Sequence, residues 1–280
     1  MKSVGLVIPV ANEQKTIKEF TESMLNEFKK LENYRFSIFY IMDSFSKDKT
    51  QEILKSFESD QVNILFNAFS TGLVSCYIHG YKHCLKQEFD YIIEMDSGFS
   101  HRPEHLQEFL SKLDEGYDAV FGSRFSKGSN YDTTLYRKMV SKLGTYMANF
   151  WLSMKYDDAT SGYQAFRRSC LEKLKLDNFI SFGGMFQTEM KYYIYEKRRD
   201  DIEEDCNRIP FYRSQCRRFF SDTFFDRSKC YEYKICSIPI NYVMSDSTFR
   251  TSWLLDGIKI LFKLKDNFKN VYKEMKNEIK

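Results

Sequence analysis

Apolar runs of strand length alternate with helix-period stretches through the first half of the chain, and three of the runs stop at acidic or amide residues. Val4-Gly5-Leu6-Val7-Ile8-Pro9 leads into Asn12-Glu13, Phe36 to Met42 into Asp43-Ser44, and Tyr91-Ile92-Ile93-Glu94-Met95 into Asp96-Ser97. Runs this short and this continuously apolar fit strands buried on both faces of a parallel sheet. Between them, Ile17, Phe20, Met24 and Phe28 share one side of a helix expected from near Gln14, and Ile53, Leu54 and Phe57 mark a second. Thr71-Gly72 opens a third helix through about Leu85, and a fourth is expected from Glu104 to about Leu113. Val62 to Phe66 and Ala119-Val120-Phe121-Gly122 read as further strands. This alternation predicts an α/β fold built on a mostly parallel sheet flanked by helices. In such sheets ligands bind in the crevice beyond the carboxyl ends of the strands, so the three polar strand ends should converge. A carboxylate at the end of a buried strand requires a cation or donor groups. The plainer alternative for Asp96 is an Asx turn or a cap for the helix near Glu104.

Several classes drop out. No GxGxxG follows the first strand and no GxxxxGK[ST] occurs, so the phosphate cradles of dinucleotide and P-loop enzymes are missing. A net charge of +3 excludes a bulk nucleic-acid binder. No apolar run reaches the length of a transmembrane helix, and Met1-Lys2-Ser3-Val4 lacks signal-peptide design. Seven cysteines without close pairs suggest a reducing, cytoplasmic setting.

The second half is less regular. Tyr136 to Leu152 reads as a helix. Asp157 to Arg167 reads as a polar turn and an extended piece, Ser181 to Met185 as a loop, and Gln187 to about Glu196 as a helix. Residues 197–235, an acidic run followed by Arg213, Arg217 and Arg218 among aromatics, look like an insertion in a domain spanning 1–251. This insertion is either a lid or membrane-contacting flap, or an extra hairpin on the sheet. Ser237-Ile238-Pro239-Ile240-Asn241-Tyr242 is a last strand, at an edge because of its proline. Residues 252–280 place apolar side chains at 254, 258, 261, 264, 268, 271, 275 and 279, an amphipathic helix. Its seven lysines and four acids account for the whole net charge, so it either lies on an anionic membrane or docks on its own domain. The pairs His79/His83 and His101/His105 have zinc-compatible spacing without a third ligand. Cys206, Cys216, Cys230 and Cys236 lack the close pairs of a zinc ribbon.

Taken together, the blocks resemble family-2 glycosyltransferases of the Rossmann-like GT-A fold, and among them the dolichol-phosphate mannosyltransferase branch. Ile8-Pro9-Val10-Ala11-Asn12-Glu13 is similar to that family's Pro-x-x-Asn-Glu, and Asp43-Ser44-Phe45-Ser46-Lys47-Asp48-Lys49-Thr50 to its Asp-Asp-Gly-Ser-x-Asp-x-Thr. Gly122-Ser123-Arg124, Asp158-x-Thr160-Ser161-Gly162-Tyr163, Phe186-Gln187-x-Glu189-Met190 and Ile238-Pro239-Ile240 resemble its later blocks, in order. The resemblance implies inverting transfer of a sugar from a GDP- or UDP-linked donor to a polyprenyl phosphate or a saccharide, without nucleic acid, at the cytosolic face of a membrane. It implies that Pro9, Val10, Ala11, Asn12, Glu13, Asp43, Ser44, Gly72 and Ser97 line the donor nucleotide. It further implies that Asp96 holds Mg²⁺ or Mn²⁺ against the diphosphate, and that Arg124, Arg137, Ser141 and Arg250 contact phosphates. Glu189 falls where relatives place an acid near the acceptor, a base for a hydroxyl but unnecessary for an ionised phosphate. The chain departs from the pattern in places. The family's Asp-x-Asp is Asp96-Ser97-Gly98, its usual Gln is Ser100, and its Arg-x-x-Gly-x-Ser-Lys is replaced by Ser245 to Thr251. His101 is the nearest substitute ligand for the lost carboxylate. These departures leave a nucleotide-sugar binder without turnover as an alternative, and a nucleotidyltransferase on a similar sheet as another.

Overall fold

The computed structural model describes residues 1–67, 72–196, 233–243, 257–267 and 270. Its centre is a seven-stranded sheet. In spatial order it runs β3 (Val62–Phe66), β2 (Tyr34–Met42), β1 (Lys2–Val10), β4 (Tyr91–Glu94), β7 (Gln164–Arg167), β5 (Ala119–Ser123) and β8 (Ile235–Pro239). All neighbours are parallel except β7, which runs antiparallel between β4 and β5. A two-stranded parallel sheet pairs β6 (Asn130–Asp132) with β9 (Asn241–Val243). The strand expected over 237–242 is thus divided. Ile240 leaves the large sheet, donating its N–H to the Ser123 carbonyl, and the chain passes into β9. Pro239, which cannot donate to a ladder, lies in β8 at the sheet's edge.

Alternation along each strand divides the core into two layers. Leu6, Ile8, Ile38, Tyr40 and Ile93 face one side, under α1 (Ile17–Lys30), α2 (Thr50–Lys55) and α4 (Leu106–Asp114). Val7, Phe39, Ile41, Ile92 and Phe121 face the other. There they meet α3 (Leu73–Lys86), α5 (Leu135–Leu152), α6 (Arg168–Leu171), α7 (Met185–Tyr195) and the helical residues 257–267. Gly80 lets α3 sit directly on β1: a Cβ there would lie 2.3 Å from Val7 Cγ1.

Three sequence readings shift. The first helix starts at Ile17 rather than near Gln14, because Glu13 to Thr16 form a turn in which Thr16 and Ile17 both donate to the Glu13 carbonyl. The insertion drawn to 235 gives way to the sheet earlier: Tyr233 is buried and β8 begins at Ile235. The terminal helix, over 257–267, buries Ile260, Leu261 and Leu264 in the domain core, so that stretch docks on its own domain. Residues 197–232, with Cys206, Cys216 and Cys230, lie outside the described residues, as do Arg250 and 271–280.

Candidate active site

The first two strand ends are tied together by the polar residues that follow them. Asn12, in the left-handed region at φ 59°, accepts the Lys47 N–H on Oδ1 at 2.9 Å and donates its own N–H to Ser46 Oγ at 3.1 Å. Glu13 N–H donates to Thr50 Oγ1 at 2.8 Å, and Gln14 N–H to Asp48 Oδ2 at 3.0 Å. Asp48 Oδ1 in turn accepts from the Thr50 N–H and hydroxyl. Burial raises the Asp48 pKa, but the bonds from Thr50 and Gln14 outweigh it and hold the carboxyl below its ordinary value. Ser46, Asp48 and Thr50 therefore form a clasp that presents Pro9 to Glu13. Asp43, at the end of β2, accepts from the Phe45 N–H on one oxygen and from the Gly72 N–H at 2.9 Å on the other, which brings the start of α3 to the same edge.

Asp96 lies two residues beyond β4 and is fixed from two sides. The Tyr77 hydroxyl, on α3, donates to Asp96 Oδ1 at 2.9 Å. The Asp96 N–H donates to His101 Nδ1 at 2.9 Å. The Asp96 side chain remains 39% exposed, whereas the His101 side chain is 1% exposed. The His101 ring stacks on Tyr163 with centroids 5.0 Å apart and meets the edge of Tyr242. Burial drives the His101 pKa down to about 4 against the pull of Asp96, so the ring is neutral. A neutral imidazole accepting at Nδ1 carries its proton on Nε2. Nε2 has no hydrogen-bond partner among the described residues, with Asp96 Oδ2 3.8 Å away. His101 thus departs from the expectation of a metal ligand, because its free nitrogen is the protonated one. It is a platform that orients Asp96.

Gly98 marks the missing second carboxylate. Its φ is +78°, and a Cβ there would lie 3.0 Å from Glu13 Oε2. Glu13 is held by the Thr16 hydroxyl at 2.9 Å. Burial raises its pKa first, and the nearby Asp96 and Asp48 charges add to that rise. The space a second aspartate would take is therefore bordered by another carboxylate. No cluster of three His, Cys, Asp or Glu side chains arranged for a metal occurs among the described residues. Mg²⁺ is commonly held by one or two carboxylates with substrate phosphates completing its shell. Asp96, with Glu13 beside the Gly98 gap, fits that pattern.

Beneath the site lies a buried polar layer. Arg124 forms a two-pronged pair with Asp158, Nε to Oδ2 at 2.7 Å and Nη2 to Oδ1 at 2.8 Å, and Nη2 also reaches Thr160 Oγ1. The rings of Phe125, Tyr131 and Tyr242 surround the guanidinium. Burial works against ionisation of Asp158, but Arg124 wins and holds the carboxyl at about 2. With Nε and Nη2 committed, Arg124 is a scaffold for the 158–160 turn, unlike the open phosphate ligand expected from sequence. Glu94 is fully buried and accepts from Gln164 Nε2 at 2.7 Å; its pKa is raised well above normal by burial. Lys191 is buried too, donating to the Ser161 carbonyl at 2.5 Å, with burial lowering its pKa to about 8. Glu189 accepts the Ile180 and Ser181 N–H groups and the Tyr193 hydroxyl. It departs from the expectation of a base facing an acceptor, since both oxygens are occupied and the residue is buried. Arg137 and Ser141 lie on the first turns of α5, where the Ser141 hydroxyl pairs with the Tyr131 hydroxyl at 3.3 Å. Of the residues named from sequence, Asn12, Glu13, Asp43, Gly72 and Asp96 come together at one sheet edge. Among the described residues His79 and His83 have no third ligand beside them; burial lowers the His83 pKa and its ring packs on Phe39. Sequence reasoning missed Tyr77, which nothing in the pattern of α3 marks, and Lys191. Charges inside otherwise apolar runs, as at Glu94 and Lys191, are the signal that could have found the buried layer.

A mostly parallel sheet with clasped acidic strand ends and no phosphate-cradling glycine loop is the GT-A class of fold. The glycosyl transferase family 2 model matches residues 6–175, and the chain belongs to that family. Over 156 residues it is 31% identical to the polyprenol monophosphomannose synthase of Mycolicibacterium smegmatis, covering 54% of this chain and 59% of that one. Over 157 residues it is 32% identical to the undecaprenyl-phosphate mannosyltransferase of Micrococcus luteus, covering 54% and 63%. The matched region thus spans about three-fifths of these relatives' length. Among solved structures, the UDP complex of glucosyl-3-phosphoglycerate synthase from Mycobacterium tuberculosis superposes with a TM-score of 0.56 at 13% identity, over 96% of this chain and 80% of that one. Its complex with Mn²⁺, UDP and glucosyl-3-phosphoglycerate gives 0.57 at 14%, over 95% and 80%.

Proposed function

We propose that the chain is an inverting glycosyltransferase that moves a hexose, mannose first among the choices, from a GDP- or UDP-linked donor to a polyprenyl phosphate. The observation that carries this reading is the meeting of three strand ends around Asp96, whose carboxylate is oriented by Tyr77 and His101 and still open to solvent. The two mannosyl-transferring relatives support the choice of sugar and acceptor. Pro9 to Glu13, with Asp43, Ser44, Gly72 and Ser97, form the shelf for base and ribose, and Asp96 faces the diphosphate. A divalent cation at Asp96 would supply positive charge to the departing diphosphate; the structural neighbour was solved in complex with Mn²⁺ and UDP.

The acceptor phosphate oxygen attacks the anomeric carbon from the side opposite the diphosphate. The bond from that carbon to the diphosphate oxygen breaks, its electron pair leaves with the nucleoside diphosphate, and configuration inverts. No proton has to be removed from an ionised phosphate. This matches a site where Glu189 is occupied, and it favours a phosphate acceptor over a saccharide hydroxyl. Arg137 and Ser141, which match family positions near phosphates, would receive that phosphate, a role suited to an always-charged planar fork and a hydroxyl. The reaction belongs at the cytosolic face of a membrane, where such acceptors are held. Gly98 favours a second reading, a nucleotide-sugar binder without turnover. The test is to incubate the full chain with GDP-mannose or UDP-glucose, Mn²⁺ and a detergent-solubilised polyprenyl phosphate, and to follow products by mass spectrometry. Glycosyl-phosphoryl-polyprenol with one equivalent of nucleoside diphosphate is expected. Donor binding with neither transfer nor hydrolysis would select the second reading.

A further inference from the structure

The turn that follows Asp96 holds a bulky residue in a conformation that bulky residues avoid. Among the described residues four non-glycine positions have positive φ: Asn12 at 59°, Glu88 at 60°, Phe99 at 67° and Ser153 at 57°. Glu88 and Ser153 follow the ends of α3 and α5, where a left-handed residue commonly terminates a helix. An asparagine tolerates the left-handed region through its short polar side chain. Neither reason applies to Phe99, whose Cβ crowds its own backbone there and which directly follows Gly98 at φ 78°. Strain of this kind persists only where the surroundings over-determine it, and it gathers at functional sites.

The surroundings do so here. The Phe99 ring meets buried Phe20 of α1 edge-on, with centroids 5.5 Å apart and planes at 80°. Ser97 and Ser100 are buried. Before the turn, the Met95 N–H donates to the Val7 carbonyl; after it, His101 pairs with Tyr242 in an antiparallel bridge. Between those two fixed points the chain must turn back far enough for His101 Nδ1 to accept the Asp96 N–H, five residues earlier. The left-handed pair 98–99 lies at the middle of that turn. α1 starts directly after the turn of Glu13 to Thr16, so the helix that anchors Phe99 also fixes the Pro9–Glu13 shelf. We propose that Phe99 is a positioning residue of the site: its left-handed backbone, held by the ring on Phe20, sets Asp96 and His101 at a fixed reach from that shelf. Phe99 touches neither donor nor cation in this role, and acts by keeping the Asp96 carboxylate oriented toward the diphosphate. The ligand that reads this effect rests on the nucleotide-linked donor named above; the geometry of the turn is read without any ligand.

The test uses the full chain labelled with ¹⁵N-histidine, whose four histidines give few signals, in NMR at neutral pH without ligand. His101 is assigned from the His101→Phe variant. The wild type should show His101 as the Nε2-protonated tautomer with Nδ1 in a hydrogen bond. Titration with GDP and with UDP, each with Mn²⁺ and followed by thermal shift, reads the site itself. Phe99→Tyr keeps the ring and should match wild type in both measurements. Phe99→Gly and Phe99→Ala lose the ring alike and differ by one methyl group, which opposes the left-handed region only in the alanine variant. Both should displace the His101 signal, alanine the more. Phe99→Ala should raise the Kd of the nucleotide that binds by about tenfold, because fewer molecules hold the competent turn, and Phe99→Gly should raise it less. Phe28→Leu, near the other end of α1 in the same apolar layer, should lower the melting temperature and leave signal and Kd unchanged. An alanine variant equal to or better than the glycine variant would make Phe99 a packing residue and overturn the proposal, since packing alone favours the extra methyl. So would a wild-type His101 of the opposite tautomer, or Phe28→Leu effects on signal and Kd equal to those of Phe99→Ala. The expected His101 series without a nucleotide shift in any variant, wild type included, would leave the role of Phe99 standing and refute the donor reading, so the two fail separately.

Discussion

Asp158 offers the sharpest test of the scaffold beneath the site. Its buried carboxylate accepts from Arg124 N, Nε and Nη2 and from the Thr160 N–H and hydroxyl, at 2.7 to 3.2 Å. Asp158→Ala leaves the Arg124 guanidinium, itself 8% exposed, without its counter-charge. Breaking one partner of such a pair costs about 3–5 kcal/mol, a fall in melting temperature of about 10 °C for a chain of this size. Asp158→Asn isolates the charge. The carboxyl lies at about 2 when folded against an ordinary 3.8, which amounts to roughly 2.5 kcal/mol of stability. Because the folded value is the lower one, the unfolded chain takes up the proton first. This stability is therefore present above about pH 4 and is lost as pH falls towards 2, and the Asn variant should lack that slope. Urea unfolding followed by circular dichroism at neutral and acid pH measures both. Arg124→Met with Asp158→Leu should recover much of the loss, since an apolar pair removes both buried charges. An Asp158→Ala variant within about 1 kcal/mol of wild type would refute the reasoning and return Arg124 to the open phosphate role.

His101→Phe keeps a ring against Tyr163 but leaves the Asp96 N–H unpaired, which should cost about 1–3 kcal/mol in urea unfolding and reduce any Mn²⁺ enhancement of nucleotide binding. Gly98→Asp restores the family's second acid in a left-handed backbone beside Glu13; it should melt lower than wild type without metal and show a larger Mn²⁺-induced rise. Glu189→Gln should destabilise by about 1–3 kcal/mol through the Ile180 and Ser181 N–H groups. A large fall in kcat at unchanged melting temperature would instead make Glu189 a base.

The alternation of apolar runs with helix-period stretches was enough to read the parallel part of the sheet, because strands buried on both faces carry their signal in composition alone. β7 was harder. Four residues after a polar turn carry no orientation, and only the pairing of Ile92 with Phe166 and Val120 with Ala165 fixes it as antiparallel. The strand-end carboxylates were legible because each follows its own strand. Their partners were not, since Tyr77 and His101 reach Asp96 from a helix and a loop through contacts that spacing does not encode. Arg124 and Glu189 were recognised by motif, but a motif gives position without burial, and burial decided what their charges do here.

The most direct measurement of the central claim is a thermal-shift panel of GDP, UDP, CDP and dTDP, each with and without Mn²⁺, on wild type and Asp96→Asn. A ligand that binds only the folded state stabilises it by about 2.7 kcal/mol at a hundredfold excess over Kd. The account predicts a rise with one nucleotide, GDP or UDP, enlarged by Mn²⁺ in the wild type and without that enlargement in Asp96→Asn. No rise with any nucleotide, or an Mn²⁺ effect that survives the substitution, would contradict a diphosphate site organised around Asp96.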